Sequence, residues 1–309
     1  MIGLLSTLGV SLLCLPVSAS TEDGAIALRN HDYAKAQREL TESAAAGDAQ
    51  AMYLLGFMYA NGTGVPRDDQ KAVELYSKAA QQGLASAQNN LALFYFGGQG
   101  TSRDYQQAVY WFEKAARQGE PSAQNSLGSA YGQGNGVPRN DELAFFWHRQ
   151  SAEQGYAPGQ YNLANHYALG LGTTKDMQLA LEWLKKAADQ HNPQAENRFG
   201  TLYEVGDGVQ QDAPTAAIWY RKAATQNYNL AQISLAKMYV TGRGVTRDKV
   251  VGYCLLELAA VSSNAEAIRL RDILAADLTA EQIDEARRLA SLWHPGEELP
   301  LHSHTGAEP

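Results

Sequence analysis

Residues 119–154 read GEPSAQNSLGSAYGQGNGVPRNDELAFFWHRQSAEQ. Ala123, Leu127 and Tyr131 stand four apart, the spacing that lines one face of a helix. Gly134-Asn-Gly136 stops that helix, because glycine takes the left-handed backbone that a helix C-terminus requires. Asn140 then offers a side-chain oxygen where the free N–H groups of a second helix begin. That second helix runs through Ala144 and Trp147 and ends before Gly155, so the stretch is one helix–turn–helix unit.

Outward from it, the pattern recurs every 36 residues. Trp111, Trp147, Trp183 and Trp219 keep this spacing, as do Tyr59, Tyr95, Tyr131, Tyr167, Tyr203 and Tyr239. Glycine pairs recur in register from Gly62/Gly64 to Gly242/Gly244. The capping position holds Asp68, Asp104, Asn140, Asp176, Asp212 and Asp248, each with a suitable oxygen. In the first unit Ala51, Leu55, Met58 and Tyr59 form the apolar face of the first helix. Gly56 lies on its flank, where Gly or Ala recurs and lets helices approach closely. The second helix is expected to bury Ala72, Leu75 and Ala79, with tryptophan in place of Leu75 in the next four units, as core.

A two-helix unit cannot bury both faces alone, so the units must stack. The expected fold is all-α: an α/α right-handed superhelical solenoid of helix-turn-helix repeats. Its repeats occupy 47–82, 83–118, 119–154, 155–190, 191–226 and 227–263. A helical pair at 20–46 precedes them; capping helices at 264–293, with Thr279 as a helix cap, and a disordered tail at 294–309 follow. Residues 1–19 read as a signal peptide, apolar and uncharged from Ile2 to Val17, with small residues at Val17-Ser18-Ala19. The run is shorter than the ~20 apolar residues of a spanning helix, so no stable membrane insertion is expected after cleavage. The mature chain would be periplasmic or secreted. Cleavage after Ala19 removes Cys14 and leaves Cys254 without an internal disulfide partner.

The chain has 309 residues, with 25 Lys+Arg against 33 Asp+Glu, a formal charge of −8. That balance excludes a basic nucleic-acid-coating protein, which draws its affinity from clustered cations. At 45% hydrophobic and 19% charged residues the chain is globular.

Ala123-x-x-x-Leu127-Gly128-x-x-Tyr131 followed by Gly134-x-Gly136-Val137 resembles the Sel-one-like repeat (SLR), a TPR-like relative of the tetratricopeptide repeat. Ala180-x-x-Trp183-x-x-Lys186-Ala187-Ala188 matches the second half of that motif. The resemblance covers roughly residues 47–263 and implies a solenoid that binds other proteins, as adaptors of this kind do in bacterial envelope assembly and host-cell interaction. A secreted cysteine-rich branch of the family is described as binding penicillin or hydrolysing β-lactams; the paired cysteines of that branch are missing here.

In such a solenoid the first helices line the concave face. At about 100° per residue, the side opposite the apolar face carries two columns. One is Tyr53, Asn89, Asn125, Tyr161, Asn197 and Ile233; the other is Phe57, Leu93, Ser129, Asn165, Thr201 and Lys237. Asn90, Asn162 and Arg198 border them. Early units offer aromatic and aliphatic contacts, the middle offers amides that pair with an extended peptide, and Arg198 and Lys237 could attract a carboxylate. The same asparagines also suit a solvated face.

Catalytic chemistry is not indicated. Ser234-Leu-Ala-Lys237 has the Ser-x-x-Lys spacing of penicillin-recognising enzymes without their partner motifs. No metal-ligand spacing occurs, and no cofactor is expected. His166 and Cys254 fall at packed positions and read as structural. The expected function is an exported, non-catalytic, monomeric adaptor that holds a protein or peptide segment in its groove. A secreted hydrolase of β-lactams or peptidoglycan fragments and a structural envelope component without a discrete ligand stay open beside it.

Overall fold

A computed structural model describes residues 19–299, which form sixteen α-helices and no strand. The chain divides into two compact units at Asn140/Asp141. In the first, α1 (Ala19–Arg29) and α2 (Tyr33–Ala45) precede α3 (Ala49–Asn61), α4 (Asp69–Gln81), α5 (Ala85–Gly97), α6 (Tyr105–Arg117) and α7 (Pro121–Gln133). The second holds α8 (Asp141–Glu153), α9 (Ala157–Leu169), α10 (Met177–Asp189), α11 (Pro193–Val205), α12 (Ala213–Thr225), α13 (Asn229–Thr241) and α14 (Lys249–Ala260). It ends with α15 (Ala265–Ala275) and α16 (Ala280–Leu292), both packed on α14. Within each unit the helices up to α15 pack chiefly on their chain neighbours, α3 on α4 and α11 on α12 among them, as in an all-α solenoid of helix–turn–helix repeats. The proposed signal peptide lies outside the described residues, apart from Ala19 at the start of α1.

The local grammar follows from the repeated residues. Asp68, Asp104, Asp176, Asp212 and Asp248 each accept a first-turn backbone N–H at 2.9–3.3 Å. The first helices end on left-handed glycines, Gly62 to Gly242, with φ of 67–79°. The second glycine of each pair has a different cause. A Cβ on Gly100 would stand 2.2 Å from the Asp69 carbonyl oxygen, and one on Gly172 2.1 Å from that of Asp141. These loops lie against the start of the preceding repeat's second helix, so that glycine sets the stacking register.

The core is centred one residue further on than expected. Tyr76, Phe112, Leu184, Tyr220 and Leu256 are at most 3% exposed, and each follows the Leu75/tryptophan position directly. Leu75 and the tryptophans are half-buried at the core's rim. Their outer ring faces carry lysine: Lys186 Nζ sits 3.8 Å from the Trp183 centroid and Lys222 Nζ 4.1 Å from that of Trp219. The indole's size explains the shift, because a helix i, i+3 pair can cover a half-exposed ring with an alkylammonium stem. Cys254 is 1% exposed, and burial pushes its thiol up to about 12. The chain from Ser20 onward, in which Cys254 is the one cysteine, should therefore resist a thiol-reactive dye and take up one equivalent on unfolding; fast native labelling would contradict this packing.

A ladder of glutamines joins the repeats. Gln88, Gln124, Gln160 and Gln232 each donate Nε2–H to a carbonyl at the end of the preceding second helix, at 3.1–3.4 Å. The oxygens of Gln88 and Gln160 accept in turn: Gln118 Nε2 lies 2.8 Å from Gln88 Oε1, and Gln190 Nε2 2.8 Å from Gln160 Oε1. In the fifth repeat Glu196 replaces the glutamine and accepts from Gln226 at 2.7 Å. In the sixth the outer partner is Ser262, and buried Gln232 Oε1 has no partner.

At the C-terminal end Thr279 and Gln282 form a reciprocal capping box. The expectation of disorder from His294 fails for its first six residues. Gly296 N–H donates to the Thr225 carbonyl at 2.8 Å, and Leu299 is 4% exposed within the C-terminal core. Burial of that leucine returns the chain to α12. Residues 300–309 lie outside the described residues.

Candidate partner-binding groove

The first helices carry the two columns expected to meet a partner, and burial separates them. In the first unit Phe57 and Ser129 are half-buried and Leu93 is 37% exposed, so this column is open. The other column lies deeper. Tyr53 is half-buried with its ring 6.0 Å from that of Tyr76, and Asn90 hydrogen-bonds both phenols. Burial raises the Tyr53 pKa, helped by the nearby Glu120 carboxylate and opposed by the Asn90 bond. Burial also raises the pKa of Glu120, the residue before α7. Asn125 is half-buried. Asn89, expected as a contact residue, is only 6% exposed, and its Oδ1 is sealed in without a partner. It faces packing rather than a groove.

The second unit repeats this division. Tyr161, Asn162, Asn197 and Arg198 are half-buried, as are Asn165 and Thr201, whereas Ile233 is 2% exposed. Tyr228, the residue before α13, is pushed up by burial and by Tyr161 two repeats earlier. Glu120 stands in the same relation to Tyr53. In both units, then, the start of a first helix comes near the deep column two repeats back, a spatial relation that a helical wheel cannot supply.

Of the two cations read as carboxylate anchors, Lys237 is engaged, with Nζ 2.7 Å from Glu266 Oε1. The Ser234 hydroxyl hydrogen-bonds Tyr220. Tyr220 also donates to Glu204 Oε2 at 2.7 Å, and burial pushes its phenol up to about 12. Lys237 also lines an open cavity of about 300 Å³ with Glu204, Met238, Thr241 and Arg243, where Arg243 pairs with Glu204 at 3.3 Å. Arg198 is different: it stands with Asn165 over a shallow apolar cleft and pairs with no carboxylate.

Two buried polar features escaped the sequence reading. The glutamine ladder was visible as a 36-residue column and could have been found there. His148, at the deep-core position, places Nδ1 2.9 Å from Nε2 of His166, whose Nδ1 lies 2.6 Å from the Leu171 carbonyl oxygen. The carbonyl requires Nδ1–H on His166, so its Nε2 accepts from His148 when both rings are neutral. Burial lowers the His166 pKa and favours that neutral state. No group of three or more His, Cys, Asp or Glu suited to a metal occurs among the described residues. Nor is any described helix long and apolar enough to cross a membrane.

The Sel1 repeat profile matches residues 49–84, 85–120, 121–156, 157–192, 193–228 and 229–260. Among solved structures, a Sel1 repeat protein from Oxalobacter formigenes is 36% identical, with 82% of this chain and 75% of that chain covered and a TM-score of 0.67. The protective antigen c5321 of uropathogenic Escherichia coli, which displays an SLR fold, is 27% identical over 88% of this chain and 83% of that one, with a TM-score of 0.49. Immunity protein Pa5087 from Pseudomonas aeruginosa is 23% identical over 68% and 80%, with a TM-score of 0.50, a likeness of fold alone. No curated protein matches the chain significantly. With six matched units in register on the helix pairs, the chain belongs to the Sel1 repeat family.

Proposed function

We propose that this protein is an exported, monomeric, non-catalytic adaptor that holds a peptide or protein segment along its first-helix groove. Sel1 repeats commonly serve as protein-interaction scaffolds. The observation that carries the reading is the open column itself. Phe57, Leu93 and Ser129 in the first unit, and Asn165, Thr201 and Lys237 in the second, change chemistry from repeat to repeat. The caps and the glycine pairs around them stay within one class of residue. A stacking frame explains the constancy but not the variation, which suits a ligand read differently at each repeat. The engagement of Lys237 by Glu266, and of Ser234 by Tyr220, counts against a Ser234–Lys237 hydrolase dyad, since neither group is directed at the other.

The test is affinity capture from envelope extract with the chain from Ser20 onward, beside a Phe57→Ala/Leu93→Ala/Asn162→Ala variant that keeps its helical circular dichroism. A partner held by the first and lost by the second supports the adaptor. Equal capture places binding on another face, and turnover of a chromogenic β-lactam by pure protein would favour the hydrolase. N-terminal sequencing of the exported chain should begin at Ser20; retention of residues 1–19 would overturn cleavage.

A further inference from the structure

The second unit carries a cation without a counter-charge at the place where a bound segment would pass. Arg198 on α11 and Asn165 on α9 stand over a cleft floored by Ala164, Ala168, Leu181, Leu184 and Leu202. Among the described residues neither side chain has a hydrogen bond or ion pair, although carboxylates take up Lys237, Arg243 and Lys249 in the same unit. A half-buried guanidinium offers five N–H donors in a fixed fork, and the amide adds two more. The floor is apolar and shallow, with room beneath the rim for about one water, so a ligand side chain lies on it rather than in it.

Resting on the adaptor reading above, we infer that Arg198 and Asn165 form an anchor for a glutamate or aspartate side chain within an extended segment, whose apolar neighbour covers the cleft. Charge complementarity selects the acidic residue, because a guanidinium–carboxylate fork is strongest where flanking apolar surface excludes water. An internal side chain is favoured over a chain end, because open-column residues continue beyond the cleft with Thr201 on α11 and Lys237 on α13.

The experiment uses the purified full-length chain on an array of amidated, acetylated peptide pairs that differ only by Glu→Gln at a central position beside leucine. Wild type should prefer the glutamate member by about tenfold or more, and added salt should shrink the preference. Arg198→Gln should erase it, Arg198→Lys should keep part of it, and Lys249→Gln, outside the groove, should leave it intact. Circular dichroism confirms folding of each variant, and the lysine variant keeps the test informative if the glutamine variant fails to fold. A preference that survives in Arg198→Gln, or one seen only for peptides with a free C-terminal carboxylate, overturns the anchor. Charge-indifferent peptide binding that is lost in Tyr161→Ala removes the anchor and leaves the groove. If no peptide binds wild type, both fall.

Discussion

Replacing Gly200 by leucine should lower the melting temperature by about 10 °C, while replacing Asn165 by alanine should leave it nearly unchanged. A Cβ on Gly200 would lie 2.5 Å from the ring of Tyr220, which is 1% exposed and cannot retreat. Overpacking of this kind costs about 3 kcal/mol, against which the better helix propensity of leucine returns less than about 1 kcal/mol. The repeats already show the compensation. Glycine at 56 and 200 faces Tyr76 and Tyr220, whereas the equivalent Ala92, Ala164 and Ala236 are matched by Phe112, Leu184 and Leu256. A Gly200→Ala/Tyr220→Leu double variant should therefore be less unstable than the sum of its single changes. Equal melting of the Gly200→Leu and Asn165→Ala variants would mean that the two faces of the first helices have been exchanged.

Glu196→Gln should raise stability at pH 7 by about 1 kcal/mol, with the gain vanishing in acid. Glu196 is 1% exposed, and burial raises its pKa, opposed by His191 at 3.7 Å and by Gln226. A carboxyl whose folded pKa is raised favours the fold in its neutral form. That contribution is complete below the unfolded value of about 4.3 and is lost as pH rises through the folded value. Glutamine removes this loss and supplies the N–H that Gln160 and Gln232 give to the helix end before them. Chemical denaturation of both proteins at pH 7 and below pH 4 checks this: the curves should differ at the first and converge at the second. A less stable variant at pH 7 would show that the His191 contact outweighs the missing ladder bond.

The frame of the fold was legible because its determinants are local and repeated. A capping aspartate, a left-handed glycine and a four-residue apolar spacing each act within one turn, so the 36-residue period exposed them. Depth was harder to read. A helical wheel ranks positions by angle, and Trp111 and Phe112 differ by one step; packing against Gly or Ala on the partner helix selects the second of them. The groove was legible by half. The open column through Leu93 and Lys237 lies at the surface, but Asn89 and Ile233 are covered. The approach to Tyr53 and Tyr161 is made by residues 67 positions away, beyond any local pattern. The engagement of Lys237 by Glu266 and the isolation of Arg198 likewise depend on side chains brought together by stacking.

The glutamine ladder gives the array a direction and an end. The repeat at 83–118 reaches back through Gln88 to the Ala80 carbonyl and offers its own Ala116 carbonyl to Gln124 of the next repeat, so it presents the same connector to both neighbours and can be duplicated or exchanged like a link in a chain. The repeat at 227–263 cannot. Its Gln232 still grips the helix before it, but Ser262 is too short to answer, and α15 and α16 close over the helix where a seventh unit would attach. Lengthening this protein is therefore a matter of insertion upstream of residue 227, because α15 and α16 occupy the face of α14 on which a further repeat would stack.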